Sequence, residues 1–224
     1  MPFGLFGKVP QKRDFLAVNL PDAILHPFEK WLQTSLAASR EVIGRRWEEY
    51  YLVAPIWRFW IGSEVFGAGC AGAMAPSVDA VGRYFPLALV HWSGTDAGVP
   101  PPLLAPHEEW YARLDARLLQ ALSETHPGYL ASLLDGLEAP AAPGLDKAEP
   151  PSSRGIFRRG TVLHPGAGES GLEVAASRVR ERDYLDAATG RSYWWCNASA
   201  VGGAILHAGN GLPDPQRFAN LLKR

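Results

Sequence analysis

Three side chains between positions 77 and 91 carry the groups of a nucleophilic hydrolase: a hydroxyl at Ser77, a carboxylate at Asp79 and an imidazole at His91. Such a triad works only if the three converge in space, with the base in hydrogen-bond reach of the nucleophile. The G-x-S-x-G turn that would expose a nucleophilic serine is absent from the sequence. Pro76-Ser77-Val78-Asp79 reads more simply as a turn, its short polar side chains bonding nearby backbone N–H groups. Two other segments have the spacing G-x-G-x-x-G of a dinucleotide loop. Gly67 to Gly72 runs almost directly into Pro76, which leaves no helix whose N-terminus could hold a pyrophosphate. Gly166 to Gly171 places Glu169 where the phosphates would lie, and too little chain follows it to build a dinucleotide sheet.

The six histidines are scattered, with no H-E-x-x-H and no pair of cysteines at ligand spacing, so neither a metal nor another cofactor is expected. Cys70 and Cys196 are far apart in sequence and read as two small buried thiols. The more informative pattern is a set of isolated charges among aromatics in the first ninety residues: Lys8, Asp14, Arg40, Arg58, Asp79 and Arg83. In Trp57-Arg58-Phe59-Trp60-Ile61, alternation puts Arg58 on the face opposite Trp57 and Phe59. An arginine in that setting needs an acceptor, and Asp14 and Asp79 are the candidates. Lys8, Asp14, Arg58, Ser77 and Asp79 are therefore expected in structural ion pairs and turns. The alternative is an exposed Arg and Trp cluster acting as an interface.

The elements that must position these residues follow from period and punctuation. Phe3 to Val9 suits an edge strand or extended arm. Proline is tolerated in a first helical turn, so a helix is expected from about Pro27, burying Phe28, Trp31, Leu32, Ser35 and Leu36. Ser39 is a plausible N-cap for a second helix with Val42, Ile43 and Trp47 inward. Strands are expected at Trp57 to Ile61, Gly67 to Ala75 and Tyr84 to Trp92, in succession and so at least partly antiparallel. A helix with Trp110, Leu114, Leu118 and Leu122 on one face opens with Glu108 and Glu109, and a short helix covers Tyr129 to Leu137. Residues 138–155 hold four prolines and read as a linker or long loop. Residues 156–224 should supply a strand near Thr161 to His164, a helix from about Leu172 to Ala187, strands at Ser192 to Ala198 and Ala204 to His207, and a closing helix from Pro215. They either complete the domain begun by residues 1–137 or form a small subdomain.

The bulk numbers exclude some partners. A chain of 224 residues with formal net charge -1 and no basic run is not a nucleic-acid binder. No apolar stretch approaches the roughly 20 residues of a spanning helix. The start Met1-Pro2-Phe3-Gly4-Leu5-Phe6-Gly7 lacks the basic opening of a signal peptide, so a cytoplasmic protein without stable membrane insertion is expected.

Several strings of residues resemble a known family in order and spacing. They are Gly4-Leu5-Phe6-Gly7-Lys8-Val9-Pro10 with Asp14-Phe15, then Trp31-Leu32-Gln33, Ser39-Arg40, Trp47 and Tyr51-Leu52. Ala54-Pro55-Ile56-Trp57-Arg58-Phe59 and Pro76-Ser77-Val78-Asp79-Ala80-Val81-Gly82-Arg83-Tyr84-Phe85-Pro86-Leu87 continue the series, the last being highly specific. On these residues the chain resembles TagF, a family of regulators of bacterial type VI secretion. The resemblance implies an α+β fold, a mainly antiparallel sheet flanked by helices and similar to longin or SNARE-like domains. It implies a non-enzymatic, post-translational repressor that binds a forkhead-associated-domain scaffold protein, alongside a threonine kinase and phosphatase pathway. Arg40, Trp57 and Arg83 are then the expected partner-binding surface. A structural subunit of the apparatus and a small hydrolase using Ser77 are the alternatives.

Overall fold

The computed structural model describes residues 3–93, 99–124, 129–140, 172–197 and 203–222. The expected strand near Thr161, the glycine-rich segment at 166–171 and most of the proline-rich stretch lie outside the described residues. The frame is a seven-stranded sheet in the order β2-β1-β5-β4-β3-β6-β7. Its strands are β1 (Phe3–Gly7), β2 (Leu16–Val18), β3 (Trp57–Ile61), β4 (Gly69–Ala75), β5 (Leu87–Ser93), β6 (Arg191–Cys196) and β7 (Ile205–Asn210). Every neighbouring pair is antiparallel. The inner strands β1, β3 and β5 are buried on both faces, as their near-continuous apolar runs require, while the edge strand β7 is largely exposed.

One face carries α1 (Asp22–Ile43), α2 (Trp47–Leu52), α3 (Ser63–Phe66) and α7 (Phe218–Leu222). Phe6, Trp57, Phe59, Ile61, Met74 and Trp194 project into that layer. Fully buried Phe28 of α1 sits at its centre, with the rings of Phe6, Phe59 and Phe66 between 5.0 and 5.7 Å away. The other face carries α4 (Glu108–Ser123), joined by α5 (Tyr129–Ser132) and the end of α6 (Leu172–Ala188). There Trp110, Leu114 and Leu118 pack on Leu5, Trp60, Leu89 and Ala73.

The alternation in β3 thus divides the core: Trp57 and Phe59 on one side, Arg58 and Trp60 on the other. Apart from Met74, β4 is built of Gly, Ala and Cys because it passes under the bulk of both layers. A Cβ on Gly72 would lie 2.1 Å from the Leu89 carbonyl oxygen and 2.7 Å from the Phe59 ring. Buried indole N–H groups tie remote segments to this core, since each needs an acceptor when desolvated. Trp31 donates to Pro213 O, Trp57 to Leu221 O, Trp60 to Val99 O and Trp110 to Glu138 O, at 2.6–2.9 Å.

The observed architecture is α+β with a mainly antiparallel sheet, and several local expectations need correction. β1 is an interior strand; the edge is β2, whose three residues are too short for a period-2 pattern. The first helix begins at Asp22, not Pro27, and carries that proline in its second turn. Proline there removes one backbone bond, and the buried Phe28 and Trp31 that follow hold the helix on the sheet. Ser39 caps nothing: it is buried within α1, which continues to Ile43, and its hydroxyl donates to the Leu36 carbonyl at 2.8 Å. Val42 is exposed, whereas Trp47 turns inward. In the C-terminal part, β6 pairs with β3 and α7 packs on α1.

Candidate functional site

Two polar constellations lie on opposite sides of the sheet. The first is organised by the turn after β4. Gly82 adopts φ 84°, a conformation that disfavours any side chain, and its N–H donates to the Asp79 carbonyl at 3.0 Å. That tight turn lets Oδ1 of Asp79 accept from the N–H groups of Val81 and Arg83 at 3.0 and 2.9 Å. Its Oδ2 accepts from Lys8 Nζ and Arg83 Nε, each at 2.6 Å. The carboxylate is wholly shielded from solvent. Burial opposes its ionisation, yet the Lys8, Arg83 and Val81 bonds outweigh that and hold the carboxyl well below its ordinary range. Ser77 completes the lock. Its hydroxyl donates to the Lys8 carbonyl at 2.7 Å, while the Tyr51 hydroxyl accepts from Ser77 N–H and donates to Ser77 C=O, each at 3.1 Å.

These bonds draw the loop at residues 10–15 against the turn. Ala80 N–H donates to Lys12 O at 3.1 Å, and the Arg83 guanidinium also bonds Arg13 O. Beside the turn, Tyr84 meets Trp47 and Tyr51 edge-on, with centroids 5.4 and 5.5 Å away. Trp47 stacks on Tyr51 at 4.7 Å and donates through Nε1 to Ser39 Oγ at 2.8 Å. The exposed Arg40 lays its guanidinium over the Trp47 ring, 4.3 Å from the centroid. Burial raises the Tyr51 phenol well above its usual range, so it stays a neutral hydrogen-bonding post.

The second constellation surrounds Arg58, whose side chain is 5% exposed. Its expected partners Asp14 and Asp79 are replaced by Glu108 and Asp115 of α4. Nε and Nη2 donate to Asp115 Oδ2 at 3.0 and 2.8 Å, and Nη1 to Glu108 Oε2 at 2.6 Å. The guanidinium lies 5.8 Å from the Tyr111 ring. Glu108, Tyr111 and Asp115 recur at helical spacing on one face of α4, and that periodicity was the available signal for them. Asp14 is exposed and, among the described residues, makes no ion pair.

The geometry sorts the expected interface residues. Arg40 is exposed, and the Arg83 side chain is 58% exposed though tied to Asp79. Trp57 is 3% exposed and belongs to the core, which corrects its assignment to an exposed surface. Ser77 and His91 do not come together: His91 faces the α4 layer, between the rings of Phe3 at 4.8 Å and Trp110 at 6.1 Å. Burial lowers its imidazole to about 4, which leaves it neutral near pH 7. Cys70 is likewise buried, its thiol pushed up to about 12, and Cys196 is buried as well. Among the described residues there is no cluster of His, Cys, Asp and Glu able to hold a metal, and no helix long and apolar enough to cross a membrane.

Comparison with known proteins places this arrangement. The comparison with curated proteins gives no match. Among solved structures, the crystal structure of PA0076 from Pseudomonas aeruginosa PAO1 is similar at 28% identity and a TM-score of 0.78, covering 98% of this chain and 93% of that one. Residues 4–137, which contain both constellations, match the family model of the type VI secretion system-associated TagF N-terminal domain. The chain belongs to the TagF family.

Proposed function

We propose that this protein is a non-catalytic, post-translational repressor of type VI secretion that binds a forkhead-associated-domain scaffold protein of the apparatus. Repression is then stoichiometric: the scaffold is held away from the assembling machine, in the cytoplasm. A threonine kinase and phosphatase pathway acts alongside it. Membership of a type VI secretion-associated family carries this reading. The polar groups support it, because each has a packing role: Ser77 bonds backbone and Tyr51, Asp79 locks a turn, and His91 is buried among aromatics. The residues left facing solvent, Arg40 above all and Arg83 in part, belong to an interaction surface. A conventional interface buries about 1,600 Å² in total, which a protein of this size readily supplies.

Residues 1–137 and the segment after the proline-rich stretch act in this reading as one binding unit, because β6 is hydrogen-bonded along β3. A calorimetric titration of the purified chain against the scaffold from the same secretion cluster tests the proposal. Saturable one-to-one binding is expected, with loss on Arg40→Glu while the thermal midpoint is unchanged. No binding between two demonstrably folded proteins refutes it.

A further inference from the structure

We infer that the end of the molecule around Arg40 is a docking surface for an acidic segment of a partner protein, with the Arg40 guanidinium as its anchor. Among the described residues, four arginines fall into two kinds. Arg58 is committed to Glu108 and Asp115, Arg83 to Asp79, and Arg46 to Glu49 at 2.9 Å. Arg40 has a ring beneath it and, among the described residues, no carboxylate within ion-pair distance. Its platform is fixed from three sides: Trp47 is held by the Ser39 hydroxyl, by stacking on Tyr51 and by the edge of Tyr84. A guanidinium stacked on an indole keeps its N–H edge free, and that planar fork matches a carboxylate bidentately. Its side-chain freedom is already reduced, so less entropy is lost when a partner binds.

Further cations lie around it. Lys12 and Arg13 are exposed on the loop that the Asp79 turn draws in, and Arg45 is exposed beyond the end of α1. Among the described residues, none of these three makes a side-chain ion pair. The exposed acids beside these groups are Asp14, Glu41 and Glu48, with Glu49 paired to Arg46, so the four cations Lys12, Arg13, Arg40 and Arg45 outnumber them. Exposed Val81 at the turn, and Leu52 and Val53 after Tyr51, offer apolar contacts beside the charges. That mixture suits a peptide with acidic and apolar side chains. A polyanion such as nucleic acid or an anionic membrane calls for a denser basic face than a chain of net charge -1 presents here.

The identity of the partner as the secretion scaffold rests on the function proposed above; the chemistry of the surface does not. A two-arm experiment separates them. In the first, anisotropy of a fluorescein-labelled oligoglutamate peptide is titrated with the wild-type chain, Arg40→Gln, Arg40→Lys and, as a control on α4, Arg113→Gln. Arg40→Gln is expected to weaken binding about tenfold, as loss of a charge-assisted bond implies. Arg40→Lys weakens it about threefold by losing the planar stack, and Arg113→Gln leaves it unchanged. Binding falls as salt rises. Equal affinities for wild type and Arg40→Gln, no wild-type binding, or capture by phosphatidylserine vesicles in place of the peptide overturns the inference. In the second arm the purified scaffold replaces the peptide. Scaffold binding that depends on Arg40 and on salt supports the surface, whereas binding indifferent to both overturns it while sparing the proposed function. Absence of scaffold binding with the first arm intact overturns the proposed function and leaves the surface standing.

Discussion

His91 makes the folded state sensitive to acid, and the size of the effect follows from its burial. The imidazole is enclosed by Phe3, Trp110 and strand β4 and is 4% exposed. Burial lowers it from 6.5 to about 4. The unfolded chain therefore takes up a proton as pH falls through 6.5, while the folded chain does so only near 4. Stability contributed by the neutral imidazole is fully present above 6.5, declines between these values, and is gone below about 4. At about pH 5 the unfolded form is almost fully protonated and the folded form scarcely at all, a difference of about 2 kcal/mol relative to about pH 8. His91→Phe removes the titration and keeps an aromatic ring among aromatic neighbours, and His91→Leu guards against overpacking. Urea unfolding at both pH values measures the loss. The wild type should lose about 2 kcal/mol more than either variant between the two conditions, with unchanged m-values. Equal losses, within about 0.5 kcal/mol, would refute the placement of a buried neutral imidazole at this position.

Three other substitutions probe the sheet and the ion pairs. Gly72→Ala sets a methyl 2.1 Å from a backbone oxygen that cannot swing away, and should cost at least about 3 kcal/mol or prevent folding; a chemical denaturation midpoint near wild type contradicts it. Arg58→Ala leaves two carboxylates without their cation and should cost about 2–4 kcal/mol. In double-mutant cycles, coupling of Arg58 to the less exposed Asp115 should exceed coupling to Glu108, whose side chain is 55% exposed. Asp79→Asn keeps the turn's shape but removes the charge facing Lys8 and Arg83. Because the folded-state carboxyl lies below its ordinary value of 3.8, the wild type keeps this contribution above 3.8 and loses it as pH falls below, and thermal melts should show that loss blunted in the variant.

The parts legible in the sequence were those set by local period. The apolar stripe of α4, from Trp110 to Leu118, declares which of its faces is buried, and the alternation of β3 sorts Trp57 and Phe59 from Arg58. The turn at Asp79 was readable from its short polar side chains. Partners decided by topology were not. Nothing in the neighbourhood of Arg58 says that α4, fifty residues on, will cross the sheet and bring Glu108 and Asp115 over it. Likewise, the exposure of Trp57 depended on α7, whose Leu221 carbonyl accepts its indole N–H. Pro27 misled because a local penalty of one missing backbone bond was weighed without the tertiary packing of Phe28 that follows it.

Three arginines that look alike in sequence thus separate by what surrounds them. Arg58 is desolvated, so it must be neutralised where it stands, and two carboxylates do so. Arg83 is half in solvent, and its partner Asp79 is so thoroughly bonded that the pair serves the turn. Among the described residues, Arg40 is supported from beneath, by an indole that attracts its charge without satisfying its N–H groups. Replacing Arg58 or Arg83 should therefore register first in stability. Replacing Arg40 should leave unfolding within about 0.5 kcal/mol of wild type, as expected for an exposed side chain, and register in binding. A large stability loss on Arg40→Gln would assign it to the same structural class as the other two and remove the distinction on which the docking surface rests.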